Sequence, residues 1–400
     1  MLSRERDRQS LMFNFFQYRK SLPLIGLSFL LSLMLATCSN TATRSSEIRI
    51  GLIAPFNGAA AKTTGNPTER GAKLAIQPIN DNGGLEIDGE RYNVSLIVKD
   101  DRDNPDEAVA VANELINQEK VMAIVGPPRS RSAIPVAAVA ERARIPTIST
   151  KSTNPQTTAN KKYVFRAIYT DELQGIAIAR FSVQDLKIEK AAVLYDVATD
   201  YSRYLAKIFQ QEFERLGGNI VAFEDYTTDV ENFQAPLEKI RDSEAELIFL
   251  PNYAEEISQQ AQKIQELGLN VTLIGGDSWG SLLEESYKYL DGAFFAEVWT
   301  ADLPNPENKQ FLERYNQMYS EPANSHAALT YDAVNLILDI IKQQGKADSE
   351  SIREGLADLQ DYRGATGSIS YQGSGDPVKS LAIVQIKNNR LEFYKQIDPD

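Results

Sequence analysis

Three short stretches carry side chains whose types suit the recognition of a small charged molecule. The first is Val125–Pro128 followed by Arg129 and Ser130, where a serine stands just before the apolar-periodic run Ile134, Val136, Ala137, Ala140. The pattern predicts a buried strand, a sharp turn and a helix opened by a serine N-cap. The second is Lys151-Ser152-Thr153, in the loop behind Ile145–Ser149, a segment that looks like a second strand. Free N–H groups and the positive end of a helix dipole would meet there, a seat for a carboxylate. The third is spread further along the chain: Tyr201 after AAVLY, Asn252-Tyr253 after LIFLP, and Gly275-Gly276-Asp277 after VTLI. Two aromatic rings and a carboxylate suit an ammonium group and its carbon stem. Facing one another, the two sets match a zwitterion. Each residue also has a simpler local reading: Ser130 as an ordinary cap, Asp277 as the cap of the next helix, and the tyrosines as two of 17.

Catalysis finds little support. His326 is the only histidine and Cys38 the only cysteine. No Ser-His-Asp set, HExxH or Cys/His metal cluster can be assembled from them, and neither GxGxxG nor GxxxxGK[ST] occurs. The expectation is a protein that is not an enzyme, with no metal and no cofactor. His326 reads as a capping or surface residue. Acid pairs such as Asp100-Asp101 and Glu284-Glu285 read as solvated faces in a chain with 55 acidic residues.

The elements that position these residues alternate strictly. Strands at Ile48–Pro55, Tyr92–Asp101, Val121–Val125 and Ile145–Ser149 are separated by helices at Pro67–Asn82, Pro105–Glu119 and the run behind Ser130. This is the signature of a parallel sheet with helices on both faces. A second α/β unit follows: helix Asp171–Asp185, then strands Ala191–Tyr195, Asn219–Tyr226, Leu247–Leu250, Val271–Ile274 and Gly292–Trp299, with helices between the first four. Helices Asn305–Tyr319, Ala327–Gln344 and Ser349–Leu359 come next. A strand at Gly367–Tyr371 and a hairpin, Ser380–Lys387 and Arg390–Gln396 joined by Asn388-Asn389, close the chain. Open α/β sheets hold ligands at the carboxyl ends of their strands, which is where all three stretches fall.

The first forty residues differ from the rest. Arg4, Arg6, Arg8, Arg19 and Lys20 precede a charge-free apolar run, Leu22–Ala36, which ends at Leu35-Ala36-Thr37-Cys38. A basic region, an apolar run of this length and a small-residue end read as a signal segment. A polar spacer, Ser39–Ser46, reads as a tether. A cysteine in this place resembles the lipobox of bacterial lipoproteins, with Thr37 where that pattern usually has Gly, Ala or Ser. The resemblance implies lipid attachment at Cys38 and an exported protein held to the membrane by that anchor alone. The net charge is −13, and −16 without residues 1–38. That acidity excludes nucleic acid as the expected partner.

The order of motifs is specific. GAKLAIQPINDNGG (Gly71–Gly84), VGPPRSRSAIP, IPTISTKSTNP and GGDSWG (Gly275–Gly280) together resemble the Leu/Ile/Val-binding proteins, the type I periplasmic solute-binding receptors of amino-acid ABC transporters. The resemblance covers Ile48 to the C-terminus. It implies two doubly wound parallel-sheet lobes joined by three crossovers: 48–168 with 300–376 as lobe 1, and 169–299 with 377–400 as lobe 2, behind a signal segment 1–38 and a tether 39–47. It implies an amino-acid ligand and an ABC permease as partners. By motif, Ser130 and Thr153 look like the ligand-carboxylate site. Thr153 and the Lys151 carbonyl look like part of the ammonium site, with Asp277 as its acid. Tyr201 and Tyr253 look like the aromatic walls, and Thr64-Gly65 is a weaker match. Arg129 stands where the family often has a small or apolar residue. It either enters the cleft, favouring a polar ligand, or runs along the lobe edge into water. A sensory module of the same fold, reporting to a signalling partner, is the alternative.

Overall fold

The structure, a computed structural model, describes residues 47–227 and 232–398. The expected signal segment, the tether up to Ser46 and the proposed lipid site Cys38 lie outside the described residues.

The first sheet is built from β1 (Glu47–Ala54), β2 (Leu85–Ile87), β3 (Glu90–Asp100), β4 (Ala123–Val125), β5 (Thr147–Ser149) and β6 (Val164–Arg166), in the order β2-β3-β1-β4-β5-β6. All pairings are parallel except β2–β3. Helices α1 (Asn66–Asp81), α2 (Pro105–Asn117) and α3 (Ser130–Ala143) supply the connections. Strands β4, β5 and β6 are buried along their whole length, so none of them shows the alternation of a half-exposed strand. The sequence reading missed the β2–β3 hairpin. Its turn is Asp88-Gly89, both at positive φ (48° and 85°), and an Asp-Gly pair is itself a hairpin signal.

The chain then crosses to the second unit through α4 (Asp171–Arg180). Strand β7 (Lys190–Asp196), helix α5 (Asp200–Arg215), strand β8 (Asn219–Tyr226), helix α6 (Gln234–Asp242), strand β9 (Leu247–Leu250), helix α7 (Ala254–Glu266), strand β10 (Thr272–Gly275) and strand β11 (Phe294–Glu297) follow. A second crossover leads to α8 (Pro306–Tyr319), α9 (Ser325–Gln344), α10 (Ser349–Ala357) and a small hairpin, β12 (Tyr362–Gly364) with β13 (Gly367–Ile369). Helix α9 packs on α1 and α10, and the Ser349 hydroxyl donates to the Met122 carbonyl, so this segment covers the first sheet. A third crossover ends in β14 (Leu381–Lys387) and β15 (Arg390–Ile397). The second sheet runs β15-β14-β11-β10-β9-β7-β8, parallel except for the last hairpin, which adds antiparallel to β11. The turn residues Asn388 and Asn389 both sit at positive φ (52° and 58°), as a two-residue hairpin of this hand demands. The fold is therefore two α/β lobes, each a mostly parallel sheet, joined by three crossovers.

Ser130 is not the N-cap of α3. Arg129 holds that position in extended conformation (φ −102°, ψ 138°), with no side-chain capping bond, and Ser130 is the first helical residue. The serine hydroxyl is taken instead by Ser152, in the loop behind β5.

Candidate functional site

The loops behind β4 and β5 form one wall. Gly126 ends β4 at φ +91°, a conformation open to glycine, and a side chain there would run into the Ile53 carbonyl. The chain can thus turn sharply at Pro127-Pro128 and start α3 facing the second lobe. Ser130 Oγ lies 2.9 Å from Ser152 Oγ, which in turn lies 2.7 Å from Thr157 Oγ1. The loop 151–154 is braced from behind by the fully buried Arg166. Its guanidinium donates to the Ser152 and Asn154 carbonyls (2.8 and 2.9 Å) and meets Asp376 at 2.6 Å, on the third crossover. Thr153 is buried, and its carbonyl accepts from the Asp171 N–H at 2.9 Å.

The opposite wall comes from the second lobe. Tyr201 lies in the first turn of α5 and Tyr253 at the N-cap of α7; their rings stack at 5.2 Å between centroids. The Tyr201 hydroxyl donates to Asp277 Oδ1 at 3.0 Å. Gln174, from α4, grips Asp277 twice: its Nε2 donates to Oδ1 at 3.1 Å, and its Oε1 accepts from the Asp277 N–H at 2.6 Å. Asp277 opens a turn of 3₁₀ helix without capping it, so the local alternative for this residue is not what the structure shows. Burial pushes its carboxyl above the usual carboxylate range, with the charge of Lys151 pulling the other way.

Between the walls lies a cavity of about 20 Å³. Thr64, Pro128, Arg129, Ser130, Lys151 and His326 line it from the first lobe, and Tyr201, Tyr253, Ala254, Asp277, Ser278 and Ser281 from the second. Six of the seven expected ligand-contacting residues therefore converge on one space: Arg129, Ser130, Lys151, Tyr201, Tyr253 and Asp277. Thr153 stands behind the lining, next to Asp171.

Two cations behave differently from what the sequence suggested. Arg129 neither runs into water nor offers a free charge to the cleft. It is 6% exposed and bonded to Asp103 and to Glu255 at 2.7 Å each, with Thr64 Oγ1 at 3.2 Å and the Tyr253 ring under its guanidinium at 4.5 Å. Burial opposes that charge, but Glu255 and Asp103 outweigh it and hold the Arg129 pKa above its ordinary value. Lys151 contributes its side chain as well as its backbone: Nζ reaches Glu297 Oε2 at 3.1 Å and also donates to Ser325 Oγ. Glu297 belongs to the second lobe, so both cations bridge the lobes. A side chain at Gly280 would collide with the Glu297 carboxylate and force this pair to shift.

His326 is neither cap nor surface. Asn324 caps α9 through its side chain, and His326, in the first turn, is 5% exposed and lines the cavity. Burial, with Lys151 and Arg129 nearby, drives its pKa well below the ordinary value, so the imidazole is neutral. Sequence reading also missed Gln174, Ser281, Glu255 and Glu297. Only tertiary contact reveals them, although Ser281 lies one residue beyond GGDSWG.

The family model of the periplasmic binding proteins matches residues 47–390. An amino acid binding protein of Pseudomonas aeruginosa is 34% identical over 335 residues, covering 82% of this chain and 87% of that protein. The crystal structure of LivJ from Streptococcus pneumoniae, a branched-chain amino acid transporter substrate-binding protein in complex with isoleucine, superposes with a TM-score of 0.82 at 28% identity, covering 88% of this chain and all (100%) of that one. A leucine binding protein, LivK from Thermotoga maritima, gives 0.81 at 28%, covering 88% and 99%. The relatives are solute-binding receptors, and the chain belongs to their family: it is a type I periplasmic binding protein of the branched-chain amino-acid group.

Proposed function

We propose that this receptor binds an amino acid or a closely related small zwitterion between its lobes and delivers it to an ABC permease in the membrane. The observation that carries this reading is the placement of Asp277 across one cavity from the N-terminus of α3. The Asp277 carboxylate is buried and held by Gln174 and Tyr201, yet the cavity-lining cations are committed elsewhere. An ammonium group is the natural complement to that carboxylate, and a carboxylate is the complement to Ser130 and the helix start. Ser130, Lys151, Tyr201, Tyr253 and Asp277 are the proposed ligand contacts, with Thr153 behind them and Arg129 acting through Glu255 and Asp103.

A cavity of about 20 Å³ has room for little more than one water. Ligand entry therefore requires the lobes to part, breaking Arg129–Glu255 and Lys151–Glu297. Three crossovers between two rigid sheets suit that hinge motion. Export, with a lipid at Cys38 as the membrane anchor, completes the proposed setting. A thermal-shift screen of the amino acids tests the reading. One of them at ~100 times its dissociation constant adds about 2.7 kcal/mol of stability and raises the melting temperature accordingly. A screen in which no amino acid moves the transition contradicts it.

A further inference from the structure

The cavity walls say more about the ligand's side chain than the family does. Among the described residues that line the cavity there is no Leu, Ile, Val, Met, Phe or Trp. Beyond the two tyrosine rings, the apolar lining is Pro128 and Ala254. Aliphatic ligands are ordinarily met by apolar walls, with a few polar groups at the charged end. Here the polar groups surround the whole space.

Three of them lack a hydrogen-bond partner among the described residues: the Tyr253 hydroxyl, whose ring lies under Arg131, and two more. Ser281 Oγ and His326 Nδ1 are buried and make no hydrogen bond among the described residues. They come from opposite lobes and line the same cavity. A buried polar atom left unpaired costs free energy that a ligand donor or acceptor would recover and a methyl group would not. The charges are already balanced. Arg129 is met by Asp103 and Glu255, and Lys151 by Glu297, so neither of these cations is left over for a ligand's side-chain carboxylate. The cavity-lining acid, Asp277, is assigned above to the α-ammonium.

We propose that the ligand carries a neutral, hydrogen-bonding side chain, an amide or a hydroxyl, and that Ser281 and His326 receive it beside the Lys151–Glu297 pair. This rests on the zwitterion reading given above and narrows it. A neutral imidazole suits the role, because one ring nitrogen donates and the other accepts, and burial keeps His326 in that form. Leucine or isoleucine would leave the Ser281 and His326 atoms unmet and would lie against an ion pair. Glutamate would bring a charge with no free partner.

The test is calorimetry on the full chain in detergent, with L-glutamine, L-asparagine, L-serine and L-threonine titrated alongside L-leucine, L-isoleucine and L-glutamate. The tightest of the four neutral polar ligands should bind at least tenfold more tightly than any of the other three. Ser281→Ala and His326→Phe should each narrow that preference over leucine at least threefold, with the leucine affinity itself held or improved. If leucine, isoleucine or glutamate binds tightest to the wild type, the inference is overturned while the zwitterion reading stands. An unchanged preference in every variant that folds overturns the assignment to Ser281 and His326. If none of the seven binds, the inference is overturned, and the zwitterion reading falls with it only if the other amino acids also fail to bind. Should neither variant fold, the wild-type ranking decides alone.

Discussion

At the residue scale the account rests on Asp277. Its carboxylate is buried, gripped by Gln174 and Tyr201, and set across a cavity from the start of α3. Breaking a buried charge pair costs roughly 3–5 kcal/mol, and 1.4 kcal/mol is a tenfold change in affinity. Asp277→Ala should therefore weaken an α-amino ligand by roughly two to three decades. Calorimetry checks this, and an unchanged dissociation constant would reduce Asp277 to a scaffold residue for Gln174 and Tyr201. Asp277 was legible in the sequence because it stands alone in a glycine-rich loop behind a predicted strand. Arg129 was legible as a charge at the mouth of the site, but its partners were not: Asp103 lies 26 positions away and Glu255 lies 126. Nothing local in a sequence says that such distant carboxylates will meet one guanidinium.

At the element scale, periodicity and turn chemistry recovered the long helices and most strands. What they missed has a physical cause. Strands β2, β6 and β12 have three residues each, too few to show a period, and β6 is buried throughout. The cap of α3 was misplaced by one residue because serine is a favoured cap and the hydroxyl of Ser152 competes for it only in the folded state. The start of α7 makes a separate, testable point. Glu256 lies in its first turn and accepts from the Tyr226 hydroxyl at 2.6 Å. Burial, against the opposing hydrogen bond from Tyr226, raises its pKa from 4.5 to about 7. Between those values the folded chain holds a proton that the unfolded chain has released. The group's contribution is thus full below about pH 4.5 and is lost as pH rises to about 7. Glu256→Gln keeps the bond from Tyr226 without the charge. The difference in melting temperature, variant minus wild type, should grow in favour of the variant from pH 4.5 to pH 7 and level off above that. A difference that stays flat across the range would show that Glu256 ionises normally.

At the scale of the whole molecule, two lobes close on a site to which both contribute. Arg129–Glu255, Thr63–Glu255 and Lys151–Glu297 join them, and Arg166–Asp376 ties the site loop to a crossover. The two α/β units are legible in the alternation of strands and helices, but their three crossovers follow from the family resemblance, because no local pattern reveals that α9 returns to the first sheet and β14 to the second. The N-terminus carries its own expectation: the full chain should partition into detergent and Cys38→Ser should not, while equal partitioning would remove the lipid anchor. The central claim is that one molecule with both an ammonium and a carboxylate fills the cleft. Calorimetry of the full chain decides it, using the tightest of the twenty amino acids and its two one-ended analogues, the α-keto acid and the decarboxylated amine. The account predicts tight binding of the amino acid alone, with each analogue weaker by two decades or more, in line with the cost of one lost charge partner. Comparable affinity for either analogue would contradict it.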